Sequence, residues 1–216
     1  MHSTYTRIGR RHFIASAALL GLSPWVQANA TAHVLILGDS LSAEYGLARG
    51  TGWVALLEQK LQKEKRKVQV TNASISGETT SGGRSRLPTL LKQHQPSVVV
   101  IELGGNDALR GLPLAGTLEN LRAMTQAAQT AGAKVLLLGM QMPPNYGKKY
   151  AQDFEQLFIQ VAQERQTALV PSLLQGVANA SDPTALFQAD RIHPSAQAQP
   201  ILLSNVWPQL LPLLQP

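Results

Sequence analysis

No cysteine occurs among the 216 residues, which excludes a disulfide framework, a thiolate metal site, a catalytic thiol and lipid attachment through an N-terminal cysteine. Histidine is scarce too, at five, so chemistry that needs an imidazole has few places to occur. Charged residues make up 15% of the chain and aromatics 5%, against 44% hydrophobic residues. That balance belongs to a folded globular protein and not to a disordered tail. No repeat, low-complexity tract or linker interrupts the chain, and its length suits one domain with a sizeable core. The formal charge of +6 invites a nucleic-acid reading, but Arg7, Arg10 and Arg11 contribute half of it. Without residues 1–30, 16 basic side chains face 13 acidic ones. The run Lys60, Lys63, Lys65, Arg66 and Lys67 falls at a predicted helix end, where cations favour the dipole and stay solvated. No nucleic-acid partner is expected.

The first 30 residues read as an export address. Arg7, Arg10 and Arg11 form a cationic start, Phe13 to Leu22 is apolar, Pro24 breaks the run, and Ala28-Asn29-Ala30 has the form of a cleavage site. The apolar run is about ten residues, well short of the roughly 20 that a spanning helix needs, so cleavage is expected and stable membrane insertion is not. Arg10-Arg11 followed by Phe13 has the twin-arginine form. The mature chain, residues 31–216, is expected to be periplasmic or secreted.

From residue 31, apolar runs of strand length alternate with segments of helical period, which predicts an α/β fold: a mainly parallel five-stranded sheet between two helical layers. The predicted strands are His33 to Leu37, Val68 to Asn72, Ser97 to Leu103, Lys134 to Met140 and Ala168 to Val170. The predicted helices are Trp53 to Lys65, Arg84 to Gln93, Leu118 to Ala131, Tyr150 to Gln166 and Gln199 to Leu211. In such a sheet, ligands gather beyond the carboxyl ends of the strands. Those ends lead into Gly38-Asp39-Ser40-Leu41-Ser42, Ala73 to Glu78, Gly104-Gly105-Asn106-Asp107, Gln141 to Gly147 and finally Asp190 to Pro194.

A serine hydroxyl is a weak nucleophile unless a base, normally histidine held by a carboxylate, takes its proton. His2 and His12 leave with the signal segment, and His33 and His94 fall at the amino ends of strands. Only His193 reaches the expected mouth, with Asp190 three residues before it and Ser40 after the first strand. Three groups can face a developing oxyanion: the Ser40 N–H, the Gly77 N–H and the Asn106 amide. Singly, each has an ordinary reading as well: a surface-loop histidine, a turn serine, a positive-φ glycine, a capping asparagine.

Four motifs occur together: G-D-S-L-S at Gly38 to Ser42, the glycine of N-A-S-I-S-G at Asn72 to Gly77, G-G-N-D at Gly104 to Asp107, and D-x-x-H-P at Asp190 to Pro194. In order and spacing they resemble the blocks of the SGNH (GDSL) hydrolases, over about residues 33–211. Segments such as Leu35 to Ala43, Arg86-Leu87-Pro88, Leu91 to Pro96, Glu102 to Asp107 and Asn145-Tyr146-Gly147 are similar to the periplasmic multifunctional thioesterase, arylesterase and lysophospholipase branch of Gram-negative bacteria. The resemblance implies a flavodoxin-like three-layer fold. It also implies Ser40 as nucleophile, His193 as base, Asp190 as its partner, and Ser40, Gly77 and Asn106 as oxyanion donors. The G-x-S-x-G elbow of the larger α/β hydrolases is absent.

The expected substrates are small carboxylic esters, acyl thioesters or lipids, hydrolysed by a monomer without cofactor or metal. Leu109, Leu112, Pro113, Pro144 and Tyr146 are the expected substrate-binding residues, because an acyl chain needs apolar surface. A carbohydrate O-acetyl esterase and a non-catalytic binding module on the same fold are the competing readings. Glu44, four residues after Ser40, is placed to crowd the mouth or add charge there.

Overall fold

The computed structural model describes residues 1–2, 31–142 and 146–215. Beyond Met1 and His2, the predicted signal segment lies outside the described residues, as do Pro143, Pro144 and Asn145. Five strands, β1 (Ala32–Gly38), β2 (Val68–Asn72), β3 (Val98–Glu102), β4 (Lys134–Leu138) and β5 (Ala168–Val170), form one sheet in the order β2-β1-β3-β4-β5. All four pairings are parallel. A parallel pair needs a crossover, and α1 (Trp53–Lys63), α2 (Thr80–His94), α4 (Leu114–Thr130) and α5 (Lys148–Arg165) lie in those connections; α6 (Gln199–Leu210) follows the last strand.

Side chains alternate across each strand, and both faces are covered. Val34 and Ile36 pack with Trp53 and Leu57 of α1 and with Leu202 and Val206 of α6. Leu35 and Leu37 pack on the other side with Leu87, Leu121 and Phe154 from α2, α4 and α5. The order places β1 and β3 side by side while the chain leaves them in opposite directions, the switch point at which open α/β sheets bind ligands.

Element ends differ from the predictions where long-range contacts set them. Helix α2 starts at Thr80 rather than Arg84. Its first turn, with Gly82 and Gly83, has low helix propensity, but the Thr79 side chain accepts the Gly82 N–H and the Asp107 carboxylate accepts the Thr80 N–H at 2.8 Å. A Cβ on Gly83 would lie 2.3 Å from Leu103, so glycine lets this helix press on the sheet. Helix α4 begins at Leu114, four residues early, with Pro113 as its N-cap. Strands β3 and β4 end before Leu103 and Gly139, and a short helix, α3 (Gly105–Leu109), follows β3 unpredicted.

Candidate active site

The loop leaving β1 delivers Ser40, and the segment before α6 delivers the histidine. Ser40 Oγ lies 2.8 Å from His193 Nε2, and His193 Nδ1 lies 2.6 Å from Asp190 Oδ2. A carboxylate accepts only, so Nδ1 carries the proton and Nε2 is the acceptor facing Ser40. The Asp190 Oδ1 accepts the N–H groups of Ile192 at 2.9 Å and His193 at 3.0 Å, across a tight turn in which Arg191 takes a left-handed φ of 58°. The His193 N–H above all, then the Ile192 N–H and the His193 ring, hold the Asp190 carboxyl down at about 2 against partial desolvation.

Backbone bonds dock this turn: Gln188 N–H donates to the His193 carbonyl and Ser195 N–H to the Leu186 carbonyl, both at 2.8 Å. The Gln188 amide also donates to the carbonyls of Tyr45 and Pro194. Tyr45 lays its ring 4.4 Å from the His193 ring, tilted by 37°. Glu44 does not enter the mouth. With φ 60° its carboxylate turns back to accept the N–H groups of Gly50 at 3.0 Å and Gly52 at 2.7 Å, so it closes its own loop.

Among the described residues, the backbone N–H groups of Ser40 and Gly77 donate to no protein acceptor. Gly77 has φ 80°, and its carbonyl accepts from Arg110, which ties this loop to α3. Asn106, in the first turn of α3, donates its amide to Asp39 Oδ2 at 2.9 Å. Its neighbour Asp107 turns away and caps α2. His33 bonds the His94 carbonyl and the Thr71 hydroxyl at the amino end of the sheet, away from Ser40.

A cavity of about 960 Å³ opens at Ser40 and His193. Its apolar wall includes Leu109, Met140, Met142, Phe187 and Ile192, with Lys148 and Arg191 also lining it. Of the expected substrate-binding residues, Leu109 stands in this wall. Leu112, Pro113 and Tyr146 do not: the Leu112 N–H is tied to the Asp107 carbonyl at 2.9 Å, Pro113 caps α4, and Tyr146 stands 38% exposed outside it. Pro144 lies outside the described residues. Among the described residues, no group of three or more His, Asp or Glu side chains is disposed to hold a metal ion.

Residues 36–200 match the model of the GDSL-like lipase/acylhydrolase family. The chain belongs to this family. It is therefore an ester hydrolase, with the α/β sandwich of the SGNH hydrolases. It is 51% identical to "Esterase TesA" of Pseudomonas aeruginosa, over 90% of this chain and 96% of that one. It is 42% identical to the "Thioesterase 1/protease 1/lysophospholipase L1" of Escherichia coli, over 87% of this chain and 88% of that one. A crystal structure of the esterase EstA from Pseudoalteromonas sp., inhibited by monoethylphosphonate, superposes with a TM-score of 0.79 at 39% identity, covering 84% of this chain and 98% of the other.

Proposed function

We propose that this chain is an exported serine esterase and thioesterase that works through an acyl-Ser40 intermediate. The observation that carries the reading is the continuous relay from Ser40 Oγ to His193 at 2.8 Å and on to Asp190 at 2.6 Å. Ser40 Oγ attacks the acyl carbonyl carbon while its proton passes to His193 Nε2. Asp190, ionised throughout, stabilises the imidazolium that forms. The tetrahedral oxyanion faces the Ser40 and Gly77 N–H groups and the Asn106 amide. Collapse breaks the bond to the leaving alcohol or thiol, which takes the proton from His193, and water then repeats the sequence to release the acid.

The acyl chain occupies the cavity beside Ser40. Aryl esters, acyl thioesters and lysophospholipids form the substrate class, in keeping with the names of the relatives. A hydrolysis panel of these compounds and acetylated oligosaccharides, with fluorophosphonate labelling, tests the reading. Wild type should be labelled, and folded Ser40→Ala should be neither labelled nor active. Turnover by folded Ser40→Ala would remove the mechanism, and best activity on acetylated sugars would promote the carbohydrate esterase.

Residues 1–30 act as a cleavable twin-arginine export signal in this proposal, and the mature enzyme works in the periplasm. Among the described residues, no helix is long and apolar enough to cross a membrane. Changing Arg10 and Arg11 together to Lys is expected to trap uncut precursor in the cytoplasm, read by fractionation. Normal export of that variant would reject the route.

A further inference from the structure

Two acids behind the site take no part in the reaction proposed above. Glu102 closes β3 in an otherwise apolar strand and is 0% exposed; Asp39, just before Ser40, is 2% exposed. Strand register sets Gly38 opposite Glu102, and a Cβ on Gly38 would lie 2.7 Å from Glu102 Oε2. Only glycine leaves that space to the carboxyl group. Glu102 Oε2 accepts the Asp39 N–H at 3.2 Å and the Ser42 hydroxyl at 2.7 Å, while Oε1 has no partner among the described residues. An ionised Glu102 would bury an unpaired anionic oxygen, so the proton resides there. Burial first, and the Asp39 charge second, push the Glu102 carboxyl well above the ordinary range. Asp39 has the donors that Glu102 lacks: Oδ1 accepts the Leu41 N–H at 3.0 Å and Oδ2 accepts the Asn106 amide at 2.9 Å. The two acids therefore share one charge, carried by Asp39.

We infer that Asp39 is a positioning residue that fixes the Asn106 amide for the substrate oxyanion. The inference rests on the proposed role of Asn106 as an oxyanion donor. An amide presents either NH₂ or oxygen after a half-turn about its last bond. A carboxylate accepts only, so it selects the NH₂ group: one N–H is held by Asp39 and the second is left for substrate. Once Asp39 is protonated, its O–H can donate to a flipped Asn106, which puts an oxygen where the oxyanion needs a donor.

The charged neighbours of Asp39 are Glu102 on β3, Asp107 on α3 and His193 on the triad turn. Burial raises its carboxyl to about 6, against the Leu41 and Asn106 hydrogen bonds and the His193 charge. Any base catalyst loses activity toward acid by one proton, and protonation of Asp39 adds a second by releasing Asn106.

The test is the pH profile, from pH 4 to 8, of kcat/KM on p-nitrophenyl butyrate and of Ser40 phosphonylation by an aryl phosphonate. Wild type is expected to fall toward acid with a limiting log slope of two. Asp39→Asn should fall with a slope of one, with plateau kcat lower by roughly 10- to 100-fold and KM little changed. A wild-type slope of one, or wild-type kcat in folded Asp39→Asn, overturns the inference. The wild-type slope decides even if the variant does not fold. Turnover by folded Ser40→Ala would instead sink the serine mechanism itself, whatever the slope.

Discussion

Ser40 and His193 stand 153 residues apart in the chain and 2.8 Å apart in space, and their proposed roles allow no substitute for either. His193→Ala in a folded protein is expected to lower kcat by on the order of a millionfold, because nucleophile and base act as one unit. Asp190→Asn costs less, about ten-thousandfold, since the ring survives in the wrong tautomer. Asn106→Ala should cost roughly 100- to 1000-fold in kcat with KM nearly constant, because the amide favours the tetrahedral state over the bound ester. A rise in KM alone would make Asn106 a substrate-binding residue. This relay was legible because histidines are few and strand ends sort them, leaving His193. Asp39 and Glu102 stand in the motifs, but their pairing depends on strand register and has no local pattern, although an acid inside Val98–Glu102 is a visible sign that something polar closes that strand. Tyr45 gave no sign, because its stacking on His193 depends on where two remote loops meet.

The strands were legible because buried parallel strands are runs of Val, Ile and Leu, and their pairing follows from the crossover helices. The start of α2 was not, because a carboxylate from α3 holds its glycine-rich first turn across 27 residues; α4 starts directly after Pro113, a local signal that helical period alone does not use. The acid pair at the carboxyl ends of β1 and β3, Asp39 and Glu102, has an energetic consequence of the same long-range kind. Asp39 is raised in the folded protein from 3.8 to about 6. Between those values the native state holds more protons than the unfolded chain, so this contribution to stability is full below about pH 4 and is lost as pH rises through 6. Asp39→Asn removes the loss. Relative to wild type, the variant should gain on the order of 2 kcal/mol between pH 4 and pH 8, read from urea melts at both values. An equal difference at the two pH values would show that Asp39 is not raised by burial. The same variant is expected to be the poorer enzyme, a local exchange of stability for orientation.

The cavity draws its wall from parts of the chain that no single segment announces: Leu109 on α3, Met140 and Met142 beyond β4, and Phe187 and Ile192 around the triad turn. That is why the sequence reading grouped Leu109, which lines the cavity, with Leu112, Pro113 and Tyr146, which do not, and with Pro144, which lies outside the described residues. A wall built this way rewards chain length, since each buried methylene contributes about 0.8 kcal/mol, or about fourfold in kcat/KM, until the cavity is full. It also discriminates weakly, because one methylene in an apolar pocket is worth only about 1–3 kcal/mol. We therefore expect kcat/KM for p-nitrophenyl esters to climb from acetate to medium-chain acyl groups and then level off, with acyl thioesters following the same order. Leu109→Ser should flatten the climb while acetate hydrolysis persists, because the relay is untouched. Leu112→Ser, 40% exposed and outside the wall, should leave the climb intact. If Leu112→Ser flattens the series and Leu109→Ser does not, the acyl chain runs along the outer face of the α3–α4 loop, and the cavity at Ser40 holds the leaving group instead.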